Sequence, residues 1–200
     1  MNTKAVRIYG KNDLRLEEFT LPEVGPDDVQ IRVICDSICM STYKAALEGE
    51  DHKRVPNDVA ENPTIVGHEF CGQIIAVGDN WKDKYNVGDN FSIQPAHFYK
   101  GSQMAPGYSY QNCGGSAQYG NVPIETLLAD CLLPYNSDTY FFGSVAEPMS
   151  CIIGTFHAMY HTKAGSYVHE MGIKEGGKMA LLASVGPMGL AAIDYAIHCD

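Results

Sequence analysis

The chain carries few positive charges for its size. Its 14 Lys and Arg residues stand against 24 Asp and Glu residues, so the net charge is −10 with histidine neutral. Proteins that bind nucleic acid neutralise its phosphates with a basic surface, and this composition argues against that class. We therefore expect no nucleic-acid partner.

A long unbroken apolar run is also missing. The most apolar segment, 179–197, contains Gly-Pro-Met-Gly in its middle and Asp194 near its end, which makes it a poor membrane span. The first ten residues lack the apolar stretch of a signal peptide. We expect no membrane segment and no export, and thus a cytoplasmic protein.

The cysteines lack the spacing of a disulfide framework or a zinc ribbon. They are odd in number and contain no C-x-x-C pair, which fits a reducing compartment. The seven are Cys35, Cys39, Cys71, Cys113, Cys131, Cys151 and Cys199.

What is present is enough apolar material for a globular core. Hydrophobic residues make up 45% of the chain and charged residues 19%, so disorder is not expected. The 20 glycines and 10 prolines favour strands and turns over a helical bundle. Val29, Ile31 and Val33 alternate with polar residues as in a half-buried strand, and 64–78 suggests bent barrel strands. The stretch 94–115 is predicted to be a long loop.

The pattern changes near Phe141. Glu147-Pro148 suits the first turn of a helix, which is predicted to run to about Tyr160. An apolar strand is then predicted over 179–184, followed by a glycine turn and a helix to about His198, as at the start of a dinucleotide-binding unit. A doubly wound domain needs more strands than remain before Asp200. Two explanations stay open: a longer protein, or strands supplied by another chain.

Four residues of metal-binding type stand out. A catalytic zinc takes about three protein ligands of mixed thiolate, imidazole and carboxylate type. Taken singly, each has a structural alternative: a buried cysteine, a satisfied core histidine, or a carboxylate at a helix start. The four are Cys39, His68, Glu69 and Glu147.

These residues occur within an ordered set of motifs. The set runs from Cys39-Met-Ser41 through Gly67-His-Glu69, Val87-Gly-Asp89 and Gly114-Gly115 to Glu147-Pro148. It resembles the zinc-dependent medium-chain dehydrogenase/reductase family, in its polyol and sugar-phosphate branch. The stretches around Asp36–Ser41, Ala105–Tyr110 and Ala146–Cys151 are most similar to members that reduce a keto-sugar phosphate.

The resemblance implies a mixed β and α/β fold. A GroES-like catalytic β-barrel would occupy 1–143, and 144–200 would form a linking helix and the incomplete start of a Rossmann-type domain. Zinc would be held by Cys39 and His68, with Glu69 and Glu147 as candidate carboxylates, and which of the two binds directly stays open. Ser41 would be the proton-relay hydroxyl, with a helix N-cap as its alternative, and Glu69 would share the catalytic role.

The cofactor turn departs from the family pattern. Ser184 stands at the first glycine of G-x-G-x-x-G, while Gly186 and Gly189 keep the other two and Pro187 and Met188 lie between them. The resemblance implies NAD(H) or NADP(H), and the residue that separates them lies past Asp200. The four cysteines of a structural zinc are missing, so one catalytic zinc is expected. Thr42 stands where the family usually has Asp, so the contacts that this Asp makes in relatives are expected to be lost.

A phosphate-bearing substrate needs local cations. Lys44, His52, Lys53 and Arg54 form a small basic cluster, or else a solvated charge run. His97, Tyr99 and Tyr110 are candidates for a sugar pocket or for loop packing, whereas His157 and His161 are interpreted as structural.

The leading hypothesis is hydride transfer between a nicotinamide cofactor and a keto-sugar phosphate or polyol phosphate, with the zinc ion polarising the ketone. One alternative is a non-catalytic barrel that binds zinc or a partner and lacks a complete cofactor domain. A zinc-free quinone reductase is another. Homo-oligomers are expected by resemblance.

Overall fold

The computed structural model describes residues 1–199 and divides into two compact units. The first is Met1–Val145, and the second begins at Ala146. No helix among the described residues is long and apolar enough to cross a bilayer.

The first unit is built mainly from antiparallel strands. Its elements are β1 (Asn2–Gly10), β2 (Asp13–Thr20), β3 (Val29–Asp36), α1 (Met40–Glu48), β4 (Thr64–Ile65), β5 (Phe70–Val77), β6 (Asn90–Ile93), β7 (Tyr119–Val122), α2 (Ile124–Leu128), β8 (Leu132–Pro134) and α3 (Tyr140–Ser144). They form a three-stranded sheet in the order β2-β1-β4 and a five-stranded sheet in the order β7-β3-β5-β6-β8.

The larger sheet supplies the core that supports the site. Val29 and Ile31 are fully buried on β3, and the ring of Phe70 on β5 meets that of Phe91 on β6 edge to face. Burying each such aromatic side chain stabilises the fold by about 1.5–3 kcal/mol. The strand predicted from the alternation in β3 is thus confirmed, although Gln30, between Val29 and Ile31, is buried as well.

The strands of this sheet are irregular where β3 pairs with β5. The register shifts once between Gln30 and Ile31 and again between Val33 and Cys35. Such irregularities bend a strand and re-aim the residues that follow it. The first shift leaves Ile75 of β5 unpaired, within the stretch 64–78 where bent strands were predicted, and the second lies just before the turn that leads from β3 to α1.

The loop between β6 and β7 is long, as predicted. Its only regular element among the described residues is a short 3₁₀ turn over Tyr99–Gly101. The strand that follows the loop, β7, begins at Tyr119. Residues 115–117 contact both a loop and β1: Gly115 N–H donates to the Gly67 carbonyl at 2.7 Å, and the Ser116 carbonyl accepts from Val6 N–H of β1 at 2.8 Å.

The second unit consists of helices and short bridges. It contains α4 (Ala146–Ala158), β9 (Tyr160–His161), β10 (Glu170–Met171) and α5 (Pro187–His198). A small core forms where Ile152 and Phe156 of α4 meet Ala192 of α5. Both helices were predicted, and α5 begins with Pro187 directly after Gly186, as proline's fixed φ favours.

The predicted strand over 179–184 is absent, so that prediction was wrong. The segment is irregular and ends in a turn. A strand is stabilised by a hydrogen-bonded neighbour, and no described segment pairs with this one. The left-handed position in the turn is Ala183, with φ 55°, rather than Ser184.

Candidate metal centre

Cys39 is the N-cap of α1. Its backbone is extended, with φ −103° and ψ 143°, and its Sγ accepts a hydrogen bond from the Ser41 backbone N–H at 3.5 Å. Cysteine is not a favoured N-cap, but a helix N-terminus stabilises the thiolate form of a nearby cysteine. The start of α1 therefore places a sulfur at the end of the bent sheet.

His68 and Glu69 lie between β4 and β5, and both side chains are buried. The turn before them is made by Gly67 at φ +88°, a conformation that favours glycine. One ligand atom from each of Cys39, His68 and Glu69 lies within 4.8 Å of the other two. The fold therefore brings together three of the four predicted ligands, although they come from two separate segments.

Both nitrogens of the His68 ring have hydroxyl partners. The Thr42 Oγ1 lies 3.1 Å from Nδ1, and the Tyr108 hydroxyl lies 3.2 Å from Nε2. The Tyr108 ring also packs on the imidazole, with centroids 4.7 Å apart. Thr42 thus contacts the predicted ligand through a hydroxyl, where a loss of contact was expected.

Burial sets the protonation of this cluster. It lowers the pKa of His68 to about 4, with the nearby Arg54 charge adding to the effect, so the imidazole is neutral at pH 7. Burial also raises the pKa of the Cys39 thiol and of the Glu69 carboxyl. A neutral imidazole is the form that binds metals, and a divalent cation would favour the deprotonated thiolate and carboxylate that burial disfavours.

The donor set therefore fits zinc. Sulfur, nitrogen and carboxylate oxygen converge at one partly enclosed place, as in catalytic zinc sites with an open position. The cluster also lies next to an unsatisfied group: Asp36 Oδ1 is buried without a hydrogen-bond partner among the described residues. Ser116 donates to its other oxygen at 2.8 Å, and burial raises the pKa of Asp36 to about 7.

Ser41 lies in the first turn of α1 and is exposed. The helix is capped by Cys39, so the alternative interpretation of Ser41 as the N-cap was wrong. Its side chain hydrogen-bonds to Cys39, and the proton-relay role stays a prediction.

Glu147 belongs to the second unit, where it lies in the first turn of α4. The Cys151 thiol points to its Oε1 at 3.6 Å. The cofactor turn Ser184–Gly189 is in the same unit, and the Ser184 hydroxyl donates to the Leu181 carbonyl at 3.0 Å. A Cβ on Gly189 would collide with the Ser184 backbone, so glycine permits the close packing of turn and helix.

The predicted basic cluster divides into different environments. Lys44 is exposed and pairs with Glu48 at 3.7 Å, and Lys53 is exposed. His52 is buried and stacks on Tyr108, and the guanidinium carbon of Arg54 lies 5.9 Å from the centre of the same Tyr108 ring. Position in the chain alone did not distinguish these four.

Three further histidines have hydrogen-bond partners within their own units. His97 lies 3.2 Å from the Tyr110 hydroxyl inside the long loop. In the second unit His157 contacts Tyr195 at 3.1 Å and His161 contacts the Gly172 carbonyl at 2.8 Å. The interpretation of His157 and His161 as structural stays a prediction.

An antiparallel barrel unit with a Cys-His-Glu cluster at the end of bent strands defines the class of GroES-like dehydrogenase domains. The alcohol dehydrogenase GroES-like domain family matches residues 25–134, more than half of the sequence. The chain belongs to this family, which confirms the resemblance to medium-chain dehydrogenases.

Two curated bacterial enzymes are similar in sequence to this chain. An L-sorbose 1-phosphate reductase from Klebsiella pneumoniae is 50% identical over 98% of this chain and 48% of its own length. A mannitol-1-phosphate 5-dehydrogenase from Aliivibrio fischeri is 51% identical over 98% of this chain and 46% of its own length. The chain thus spans about half the length of these curated relatives.

The fold is similar to solved dehydrogenases. The crystal structure of 2R,3R-butanediol dehydrogenase from Bacillus subtilis matches with a TM-score of 0.61 and 26% identity. The match covers 76% of this chain and 46% of that one.

Proposed function

We propose that this chain carries the metal- and substrate-binding part of a zinc- and nicotinamide-dependent oxidoreductase. Its substrate would be a keto-sugar phosphate or the corresponding polyol phosphate. The observation that carries the proposal is the convergence of Cys39, His68 and Glu69 within 4.8 Å. The names of the two bacterial relatives support the substrate class.

The zinc would be held by Cys39 and His68, with Glu69 or Glu147 as the carboxylate. When bound, it supplies a Lewis acid for the substrate oxygen. The chain's own residues prepare this site. With the proton of His68 on Nδ1, Thr42 would accept its hydrogen bond and the Nε2 lone pair, 3.2 Å from the Tyr108 hydroxyl, would be left for a metal.

Proton transfer is assigned to Ser41. Its hydroxyl is exposed two residues beyond the Cys39 ligand, so it is placed to exchange a proton between solvent and the substrate oxygen. We propose a single zinc. The long loop holds only Cys113, and this thiol is fully buried with its pKa raised by burial, which disfavours the thiolate needed for a second site.

The cofactor would bind at the turn Ser184–Gly189 before α5. Helix N-termini favour the negative charge of a pyrophosphate. Either NAD(H) or NADP(H) is consistent with this turn, and self-association remains a prediction by resemblance.

The function is tested by assaying the protein, in the length its source expresses, with L-sorbose 1-phosphate and NADH or NADPH. We expect turnover that is lost on zinc removal by a chelator and restored by added Zn²⁺. Full activity after zinc removal would instead identify a zinc-free reductase. Zinc binding without nicotinamide binding would identify a non-catalytic barrel.

Thr42→Val is expected to weaken zinc binding by about 10-fold, because the His68 ring loses the acceptor that fixes its orientation. Competition with a coloured chelator measures this affinity without any need for turnover. Thr42→Ser keeps the hydroxyl and serves as the control. Equal zinc affinity in Thr42→Val and the original protein would show that the contact has no role in metal binding.

A further inference from the structure

The Arg54 side chain is held against the aromatic wall of the candidate site. Its guanidinium carbon lies 5.5 Å from the centre of the Phe98 ring and 5.9 Å from that of Tyr108. Tyr108 in turn contacts His68 through both its ring and its hydroxyl. One aromatic ring therefore separates the guanidinium from the predicted ligand.

Several contacts fix this arginine in place. Its Nη1 donates to the Gln103 carbonyl at 2.9 Å, and its own carbonyl accepts from the Ser109 hydroxyl at 2.6 Å. Phe98 lies beneath the guanidinium in a left-handed conformation, with φ 45°, that bulky residues rarely adopt. The loop thus keeps an unusual backbone geometry at the point where it meets the arginine.

The charge of Arg54 is not neutralised within the part of the chain that the structure describes. The ion pairs formed by residues 1–199 do not include it. A guanidinium has five N–H donors, and among the described residues the Arg54 side chain donates a hydrogen bond from a single nitrogen, Nη1. In a chain of net charge −10, an unneutralised guanidinium beside a candidate active site is a binding group for an anion.

We propose that Arg54 binds the phosphate of the substrate and so selects phosphorylated over unphosphorylated sugars. This inference rests on the proposed function, since it assigns the phosphate of that substrate class to a residue. A guanidinium fork matches two phosphate oxygens at once, which an ammonium group does not.

The other cations of the cluster are less suited. Lys44 is engaged with Glu48, and its exposed position leaves it screened by solvent. Lys53 is exposed, although it is adjacent in sequence to Arg54. Lys53 is therefore a matched control for a loss of positive charge that does not face the site.

The test measures binding of L-sorbose 1-phosphate and of L-sorbose to the zinc-loaded protein by calorimetry. Arg54→Met keeps the apolar stem and removes the charge, and we expect it to weaken binding of the phosphate ester by about 10- to 100-fold. Binding of L-sorbose should be unchanged. Arg54→Lys should recover part of the affinity, whereas Lys53→Gln should stay within about 2-fold of the original protein.

The outcomes separate the two proposals. If the original protein prefers the phosphate ester and Arg54→Met keeps that preference, another residue binds the phosphate and the inference about Arg54 is wrong. If the original protein does not prefer the ester, the proposed substrate class fails and the inference fails with it. Zinc content measured on each variant shows whether the metal site is intact.

Discussion

Replacing His68 with alanine is expected to reduce zinc affinity by on the order of 10³-fold and to abolish turnover. His68 supplies the only nitrogen of the three converging ligand atoms. Its neutral form predominates at pH 7 because burial lowers its pKa to about 4, so the original protein loses little affinity to proton competition. Cys39→Ala should act in the same direction, because it removes the sulfur ligand.

Zinc affinity is measured by chelator competition, and bound zinc by elemental analysis of the purified protein. His97→Ala is the matched control, because His97 is also buried but contacts Tyr110 rather than a predicted ligand. It should retain the original zinc affinity. A His68→Ala protein that is active and holds zinc as tightly as the original would refute the site.

The ligand residues could be predicted because their residue types and order form a recognisable set. Cys39, His68 and Glu69 carry metal-binding chemistry in themselves, and the fold brings them together as expected. The alternation of Val29 and Ile31 likewise determined a strand, since one face of β3 had to be buried.

The surroundings of the ligands could not be predicted. Thr42 and Tyr108 contact His68 from 26 and 40 residues away, and neither residue type signals such a role. In the sequence, Arg54 is one of four candidate cations, and only its contacts with the Phe98 and Tyr108 rings distinguish it from the other three. The apolar run 179–184 misled because hydrophobicity indicates burial, whereas a strand also requires a partner for its hydrogen bonds.

The second large effect is expected at Gly107, which packs against the turn that positions His68. Gly107 has φ +80°, and a Cβ added there would collide with the Gly67 carbonyl and lie 2.8 Å from the His68 Cα. Gly107→Ala should therefore lower the free energy of unfolding by about 3–5 kcal/mol, from backbone strain and overpacking together. It should also weaken zinc binding, because relief of the collision moves the His68 backbone.

Gly101→Ala separates these two causes. Gly101 has the same φ of +80°, but a Cβ there meets nothing within 4 Å. Gly101→Ala should lower the free energy of unfolding by about 1–2 kcal/mol from backbone strain alone, and it should leave zinc affinity unchanged. Denaturant unfolding and chelator competition on both variants provide the measurement. Equal losses of stability at the two positions would mean that the Gly107 turn relaxes without disturbing His68, and that the ligand is held by Thr42 and Tyr108 rather than by its backbone.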